Sequence, residues 1–159
     1  MTDYYDEISE GYDALHFEEQ KKKAELILKE LKIKKSDKLL DVGCGTGKIT
    51  ELFFCDATGI DPSEKLLAKA KIPVVKGNAE KLPFPDKSFD IVISLTAIHH
   101  ADPKKAVEEI KRVAKRDIAI SVLKKAKNFN EIEQEIQKQL IVKQQIDANQ
   151  DILYICASS

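Results

Sequence analysis

The residues Leu39-Leu40-Asp41-Val42-Gly43-Cys44-Gly45-Thr46-Gly47 carry the strongest structural signal in this chain. Apolar residues come first and glycines follow at every second position, which predicts a buried strand that enters a tight turn. Glycine allows the backbone of such a turn to approach a ligand closely, because no Cβ stands in the way. The stretch therefore predicts a ligand-binding loop. A glycine-rich turn without a ligand is the alternative.

The spacing of these glycines distinguishes between kinds of nucleotide-binding loop. The chain has GxGxG, whereas the dinucleotide fingerprint is GxGxxG and the phosphate-binding P-loop ends in Gly-Lys-Ser/Thr. Gly47 is followed by Lys48 and Ile49, so neither pattern is met. A nicotinamide-dependent oxidoreductase is disfavoured for this reason, and also because 159 residues leave no room for a separate substrate domain.

Short apolar runs alternate with amphipathic segments along the chain. Strands are predicted at 38–42, 57–60, 73–76, 89–95 and 118–123, with a terminal hairpin at 141–147 and 152–157. Helices are predicted at 18–31, 46–54, 62–71, 103–115 and 129–140. This order predicts an α/β fold with a doubly wound, mostly parallel seven-stranded sheet and a C-terminal antiparallel hairpin. Ligands bind at the carboxyl ends of the strands in such sheets.

Composition limits the classes of protein. The chain is 43% hydrophobic and 33% charged, which is typical of one globular domain with a sizeable core. We expect a single domain over 1–159, with 1–35 as a helical leader or lid and 36–159 as the sheet core. Its 26 basic and 27 acidic residues nearly cancel, so the net charge does not indicate RNA. The lysines within 21–23 and 124–127 form either a local basic surface for RNA or a solvated face.

The cysteines and the apolar stretches predict a cytoplasmic protein. Cys44, Cys55 and Cys156 are odd in number, widely spaced and without a CxxC pair, which disfavours disulfides and a zinc site, and no metal is expected. The N-terminus is acidic and lacks the profile of a secretory signal. The longest apolar stretch, 91–98, is well short of the ~20 residues of a membrane helix, so no membrane role is expected.

Two polar positions follow the next predicted strands. Asp61 ends the second strand, 18 positions after Gly43, where a carboxylate can accept hydrogen bonds from both hydroxyls of a ribose. Its alternative role is to cap the following helix. Asn78 and its neighbours in Gly77-Asn78-Ala79-Glu80 follow the third strand, where an amide can contact the edge of an adenine ring; an ordinary loop is the alternative.

These segments, in this order, resemble the class I S-adenosylmethionine-dependent methyltransferases, in particular the group related to ubiquinone and menaquinone biosynthesis. The resemblance covers 4–157. It rests on LLDVGCGTG at 39–47, GIDPS at 59–63, GNAEKLPFPDKSFDIVIS at 77–94 and TAIHH at 96–100. It implies that S-adenosyl-L-methionine donates a methyl group to an unidentified acceptor, which is a small molecule, an RNA or a protein, and leaves as S-adenosyl-L-homocysteine. A catalytically silent, cofactor-binding subunit of another enzyme is the alternative.

The resemblance also implies a set of cofactor contacts. Around the methionine part it places Asp41, Gly43 and Gly45, with Cys44 in the same loop, and Leu95 and Thr96 close the pocket there. Asp61 would bind the ribose, Pro62 would lie against the adenine, and Asn78 and Ala79 would contact the adenine edge. Asn78 stands where family members often carry aspartate. Tyr5 and Tyr12 would cover the cofactor as a lid, or else belong to a helix that packs its aromatic side on the sheet.

Methyl transfer in such a site depends mainly on positioning and on the exclusion of water. An acceptor that loses a proton needs a base within hydrogen-bond reach. His99 and His100 follow the fourth strand and are the candidates, with a structural role as the alternative. Little of the chain is left to bind an acceptor: the leader, 96–102 and 124–128. We therefore expect either a small acceptor or a protein partner that supplies the recognition surface.

Overall fold

The computed structural model describes residues 9–159, with side chains from Ala14 onward. A seven-stranded sheet lies at its centre, in the order β3-β2-β1-β4-β5-β7-β6. The strands are β1 (Lys38–Val42), β2 (Asp56–Asp61), β3 (Val74–Lys76), β4 (Phe89–Leu95), β5 (Ala114–Leu123), β6 (Ile141–Ala148) and β7 (Asp151–Ala157). The first five strands are parallel, and β7 is antiparallel to both β5 and β6. The predicted sheet is confirmed.

Helices lie on both faces of this sheet. They are α1 (Ser9–Glu30), α2 (Glu64–Leu67), α3 (Pro103–Val113) and α4 (Phe129–Gln139), with 3-10 turns at Thr50–Leu52 and Ile98–His100. On one face α1 buries Ala24 and Ile27 in a cluster with side chains of β1, β4, β5 and β7. On the other face α3 and α4 bury Ile110 and Ile132. Both faces of a parallel sheet are covered in this way, and the doubly wound arrangement is confirmed.

The order of the strands opens a crevice at the carboxyl end of β1. β1 pairs with β2 on one side and with β4 on the other, so the chain reverses its direction of travel across the sheet at this strand. A crevice at such a switch point is where α/β sheets bind ligands. The antiparallel β7 begins at this same edge, because Asp151 pairs in register with Leu123, the last residue of β5.

Two predicted helices are wrong in length. The segment 46–54 forms only the turn Thr50–Leu52, and 62–71 forms only the four-residue α2. The chain must return along the five residues of β1, about 16 Å, before β2 begins in register. The thirteen residues of the connection, 43–55, cover this distance with three helical residues and with extended backbone at Phe53, where the turn ends. By contrast, α1 begins nine residues before the predicted start at 18.

Candidate functional site

A cavity of about 600 Å³ lies at the carboxyl ends of β1, β2 and β4. Ligand sites commonly have volumes of ~300–1,000 Å³. The structure brings ten of the predicted cofactor residues together in its wall: Asp41, Gly43, Cys44, Gly45, Asp61, Pro62, Asn78, Ala79, Leu95 and Thr96. Tyr5 and the side chain of Tyr12 lie outside the described residues. Phe17 and Gln20 of α1 also line the cavity, and sequence reasoning missed both.

The glycine loop after β1 needs glycine for two reasons. Gly43, Gly45 and Gly47 have φ angles of +83°, +57° and +78°, a region that other residues rarely adopt. A Cβ added to Gly43 would also overlap the Cβ of Ala97. The amides of Gly43 and Cys44 both donate to the carbonyl of Ile60, at 2.8 and 3.1 Å. These bonds hold the loop against the end of β2, and its backbone forms part of the cavity wall.

Asp61 is largely buried, at 9% exposure, and joins this loop to the following turn. Its carboxylate accepts hydrogen bonds from the amides of Gly45 and Ser63, both at 2.9 Å. A carboxylate has about four acceptor positions, so capacity is left for hydroxyl groups of a ligand. The alternative role as a helix cap is wrong. Ser63 is the N-cap of α2, and its hydroxyl accepts from the amide of Leu66.

Asp41 adds a second carboxyl group to the cavity wall. It is 4% exposed and accepts a hydrogen bond of 2.7 Å from the hydroxyl of Thr50. Burial is the main cause that raises the pKa of Asp41 to about 6, and the charge of Asp61 acts in the same direction. At neutral pH the carboxyl group of Asp41 is therefore mostly ionised, and its negative charge favours a positively charged group of a ligand nearby.

We expect Asp41 to make the stability of the protein depend on pH between about 6 and 4. The pKa in the folded state, about 6, lies above the ordinary value of 3.8, so the folded protein binds the proton first and gains stability as the pH falls. The difference corresponds to about 3 kcal/mol. Urea unfolding of the wild type and of Asp41→Asn, whose side chain still accepts from Thr50, measures it.

The free energies of unfolding of these two proteins should diverge by about 2 kcal/mol in favour of the wild type as the pH falls from 7 to 4, because at pH 4 the unfolded carboxyl, with its ordinary pKa of 3.8, is also partly protonated. Asp37 and Glu109 also make stability depend on pH, because hydrogen bonds to arginine lower their pKa values. They are present in both proteins, so their contributions cancel when one free energy of unfolding is subtracted from the other. A constant difference across this range would contradict the buried, titrating carboxyl at Asp41.

His99 and His100 lie in the 3-10 turn that follows β4, with ring centroids 3.9 Å apart. His100 is exposed and lines the cavity, whereas His99 is half-buried and does not. Burial, and next the neighbouring His100, lower the pKa of His99. Nδ1 of His99 is buried and has no hydrogen-bond partner among the described residues. A neutral imidazole can accept a proton, and of the two rings that of His100 faces the cavity.

The predicted lysine surface is only partly present. Lys22, Lys124, Lys125 and Lys127 are exposed, but Lys23 is 3% exposed and forms an ion pair with Asp151. Sequence reasoning placed Lys23 on the surface because it lies in a run of three lysines. The run occupies one turn of α1, and the third lysine points towards the sheet, one residue before the buried Ala24.

No group of three or more side chains of the metal-binding types lies close enough to hold an ion within residues 9–159. No helix in the described part of the chain has the length and apolar character to cross a membrane.

The sequence of the sheet core matches a known protein family. Residues 40–122, more than half of the chain, match the family described as methyltransferase domain. The chain belongs to the class I S-adenosylmethionine-dependent methyltransferase family. This segment runs from β1 to β5 and contains the glycine loop, Asp61 and the residues after β4. The resemblance inferred from the sequence motifs is confirmed.

Two relatives of this methyltransferase-family chain illustrate the match. The uncharacterized protein MJ1252 of Methanocaldococcus jannaschii is 40% identical over 122 residues, which are 74% of this chain and 48% of that protein. Demethylmenaquinone methyltransferase of Staphylococcus aureus is 35% identical over 130 residues, 70% of this chain and 54% of that enzyme. The chain spans about half the length of the curated relatives it matches.

A solved structure shows the same fold. It is the complex between the Haloferax volcanii Trm112 methyltransferase activator and the putative methyltransferase. The match has a TM-score of 0.76 at 18% identity, and covers 94% of this chain and 95% of that chain. At this identity the likeness concerns the fold alone.

The cofactor of the family is S-adenosylmethionine, and the cavity of this methyltransferase-family chain fits it chemically. The cofactor carries positive charge on sulfur, a ribose with two hydroxyls and an adenine ring. The wall offers the carboxyl groups of Asp41 and Asp61 to the charge and the hydroxyls. The backbone of Gly43, Cys44 and Gly45 forms part of the same wall.

Proposed function

We propose that this chain transfers the methyl group of S-adenosyl-L-methionine to an acceptor that is a small molecule, an RNA or a protein. The observation that carries the proposal is the convergence of ten predicted cofactor residues on one cavity at the switch point of a methyltransferase fold. When bound, the cofactor supplies an electrophilic methyl group on a cationic sulfur and is left as S-adenosyl-L-homocysteine. The protein contributes binding, orientation and the exclusion of water.

Each region of the cavity wall has a proposed role. Asp61 accepts hydrogen bonds from the ribose hydroxyls while its bonds to the amides of Gly45 and Ser63 fix its carboxylate. Asp41 and the loop from Gly43 to Gly45 hold the methionine part, with Leu95 and Thr96 opposite. Pro62, Asn78 and Ala79 hold the adenine. The proposed lid is 1–35, of which Phe17 and Gln20 of α1 already border the cavity, and 36–159 forms the rest of a single domain.

His100 is the proposed base for acceptors that lose a proton. We expect His100→Asn to lower the rate of methyl transfer about 100-fold, the lower end of what general bases contribute, without weakening cofactor binding. His99→Asn should lower it less, because the ring of His99 touches that of His100 but does not line the cavity. Single-turnover transfer of labelled methyl groups measures both. An unchanged rate in His100→Asn would assign this histidine a structural role.

The test of the function offers methyl-labelled S-adenosylmethionine and a cell extract to the purified protein. Label that enters RNA, protein or small molecules only with the intact protein supports the enzyme, and the labelled fraction identifies the class of acceptor. Calorimetric binding of the cofactor without any transfer supports the second candidate, a catalytically silent partner subunit. The absence of both binding and transfer would overturn both.

A protein partner that supplies acceptor recognition is part of the proposal. The connection between β5 and α4 holds only five residues, 124–128, and therefore offers little surface for an acceptor. A structural neighbour of the chain is found in complex with an activator protein. The exposed lysines at 22 and 124–127 keep RNA among the candidate partners despite the net charge of −1. The free thiols of Cys44, Cys55 and Cys156 support the predicted reducing, cytoplasmic setting.

A further inference from the structure

One part of the cavity wall is backed by a group of polar side chains, which we call the Lys23 network: the buried Gln20, Lys23, Ser121 and Asp151 and the half-buried Thr96. Its residues come from α1, β5, β7 and the turn after β4, and they meet where the carboxyl end of β5 lies beside the start of β7. Gln20 is 6% exposed, Lys23 3% and Asp151 1%. Gln20 and Thr96 line the cavity, whereas Lys23 and Asp151 stand behind them.

The ammonium group of Lys23 contacts three side chains of this network. It donates hydrogen bonds to Oε1 of Gln20 at 2.6 Å and to Oγ1 of Thr96 at 2.9 Å. It also forms an ion pair with Asp151, whose Oδ2 lies 3.2 Å away. Lys23 thereby joins both cavity-lining side chains to one buried carboxylate.

Thr96 has an unusual backbone conformation that this network supports. Its φ angle is +52°, which is rare for a β-branched residue and costs about 1–3 kcal/mol. Its hydroxyl donates to Oδ2 of Asp151 at 2.6 Å, and its amide donates to Oγ of Ser121 at 2.9 Å. Strained residues of this kind persist only where several surrounding contacts hold them in place, and they cluster at functional sites.

Stability alone does not explain a buried ion pair at this position. Replacing such a pair by apolar side chains of similar volume is commonly neutral or stabilises a protein by about 1–4 kcal/mol. The pair does, however, fix the side chains that border the cavity. Gln20 is held further by its donation to the carbonyl of Leu95 at 3.3 Å, which ties α1 directly to the end of β4.

We propose that Lys23 and Asp151 are positioning residues: they set Gln20 and Thr96, and with them α1, in the geometry that binds S-adenosylmethionine. Neither residue touches the ligand in this proposal, which rests on the proposed function. The pair acts by keeping the wall pre-organised, so that no binding free energy is spent on ordering α1 and the turn after β4.

The test uses the double variant Lys23→Met/Asp151→Val, which removes both charges together and leaves no buried charge without a partner. Titration calorimetry with S-adenosylhomocysteine should show a dissociation constant raised about tenfold or more, since small misplacements in a site have large effects. Urea unfolding should show a midpoint close to that of the wild type or above it. A purely structural pair would change the unfolding midpoint and leave the dissociation constant unchanged.

A control is the ion pair between Arg116 and Asp37, 3.0 Å apart at the amino end of the sheet, although the Arg116 side chain is more exposed than Lys23 and also contacts Asp117. Arg116→Met/Asp37→Val should lower stability without a change in the dissociation constant, because neither residue borders the cavity. If the first double variant fails to fold by circular dichroism, Lys23→Met/Asp151→Asn replaces it. This variant keeps an acceptor for Thr96 and leaves no buried charge without a partner, and the same rise in the dissociation constant is expected.

The binding measurements test the positioning role separately from the proposed function on which it rests. Wild-type protein that binds neither S-adenosylhomocysteine nor S-adenosylmethionine overturns the proposed function. Wild type that binds, with a dissociation constant within twofold in the Lys23 and Asp151 variants, overturns the positioning role alone. An equal loss in the Arg116 and Asp37 control overturns it as well, since the effect would then follow from any lost ion pair.

Discussion

Asp61→Ala should weaken the binding of S-adenosylmethionine at least about 100-fold, because hydrogen bonds to a charged group contribute about 1.5–3 kcal/mol each. In the proposed site this carboxylate accepts from two ribose hydroxyls, and the variant removes both acceptors at once. It also leaves the amides of Gly45 and Ser63 without their acceptor, so the loop that forms the wall loses its anchor. Titration calorimetry with the cofactor or with S-adenosylhomocysteine measures the change.

The matched variant is Asp61→Asn. It has the same size and keeps one acceptor oxygen. We therefore expect an affinity between those of the wild type and Asp61→Ala, about tenfold weaker than that of the wild type. Circular dichroism separates loss of binding from loss of fold. A dissociation constant that is unchanged in Asp61→Ala would show that this carboxylate does not contact the ligand, and would leave it the single role of bracing the loop.

Gly43→Ala should abolish detectable binding and lower the free energy of unfolding by about 3 kcal/mol, the sum of the left-handed backbone and overpacking costs. The new Cβ would overlap that of Ala97, and the backbone at this position has φ +83°. Either the loop or the turn after β4 has to move, and both line the cavity. Urea unfolding and titration calorimetry give the two quantities.

Gly45→Ala is the control for this change, two residues further along the same loop. Its φ is +57°, but the nearest atom to an added Cβ is Cδ1 of Leu66 at 3.9 Å, so we expect only the backbone cost of about 1–2 kcal/mol. A second variant, Gly43→Ala with Ala97→Gly, removes the overlapping atom and should recover part of the stability. Equal destabilisation in Gly43→Ala and Gly45→Ala would contradict the steric explanation.

The architecture could be predicted from the sequence, because apolar runs indicate strands and the glycines after them indicate turns. The pattern at 39–47 and the acidic Asp61 were enough to place a cavity between β1, β2 and β4. The lengths of the connecting helices were not predictable, because they depend on the distance the chain has to cover between paired strands. The turn Thr50–Leu52 is an example: Ile49 before it still has helical backbone angles, whereas Phe53 after it is extended and leads the chain to β2.

The Lys23 network could not be predicted from the sequence, for a different reason. Lys23 lies in a run of three lysines, a composition typical of a solvated face, and its carboxylate partner lies 128 positions away in the chain. Only the antiparallel direction of β7 brings Asp151 to the same edge as Thr96. Local patterns report which face of a helix is apolar, but they carry no information about a distant charge that compensates a buried one.

The two ends of the cavity differ in the number of contacts that hold their backbone in place. Thr96 lies at the end of the cavity that is held by the ion pair of Lys23 and Asp151 and by hydrogen bonds with side chains of α1 and β5. Asn78 and Ala79 follow β3, an edge strand of three residues that pairs with β2 at only three positions. Short edge strands with few buried contacts open at the lowest free energy. We therefore expect the backbone after β3 to open at a lower free energy than the backbone at Thr96, which amide hydrogen exchange would show as weaker protection there.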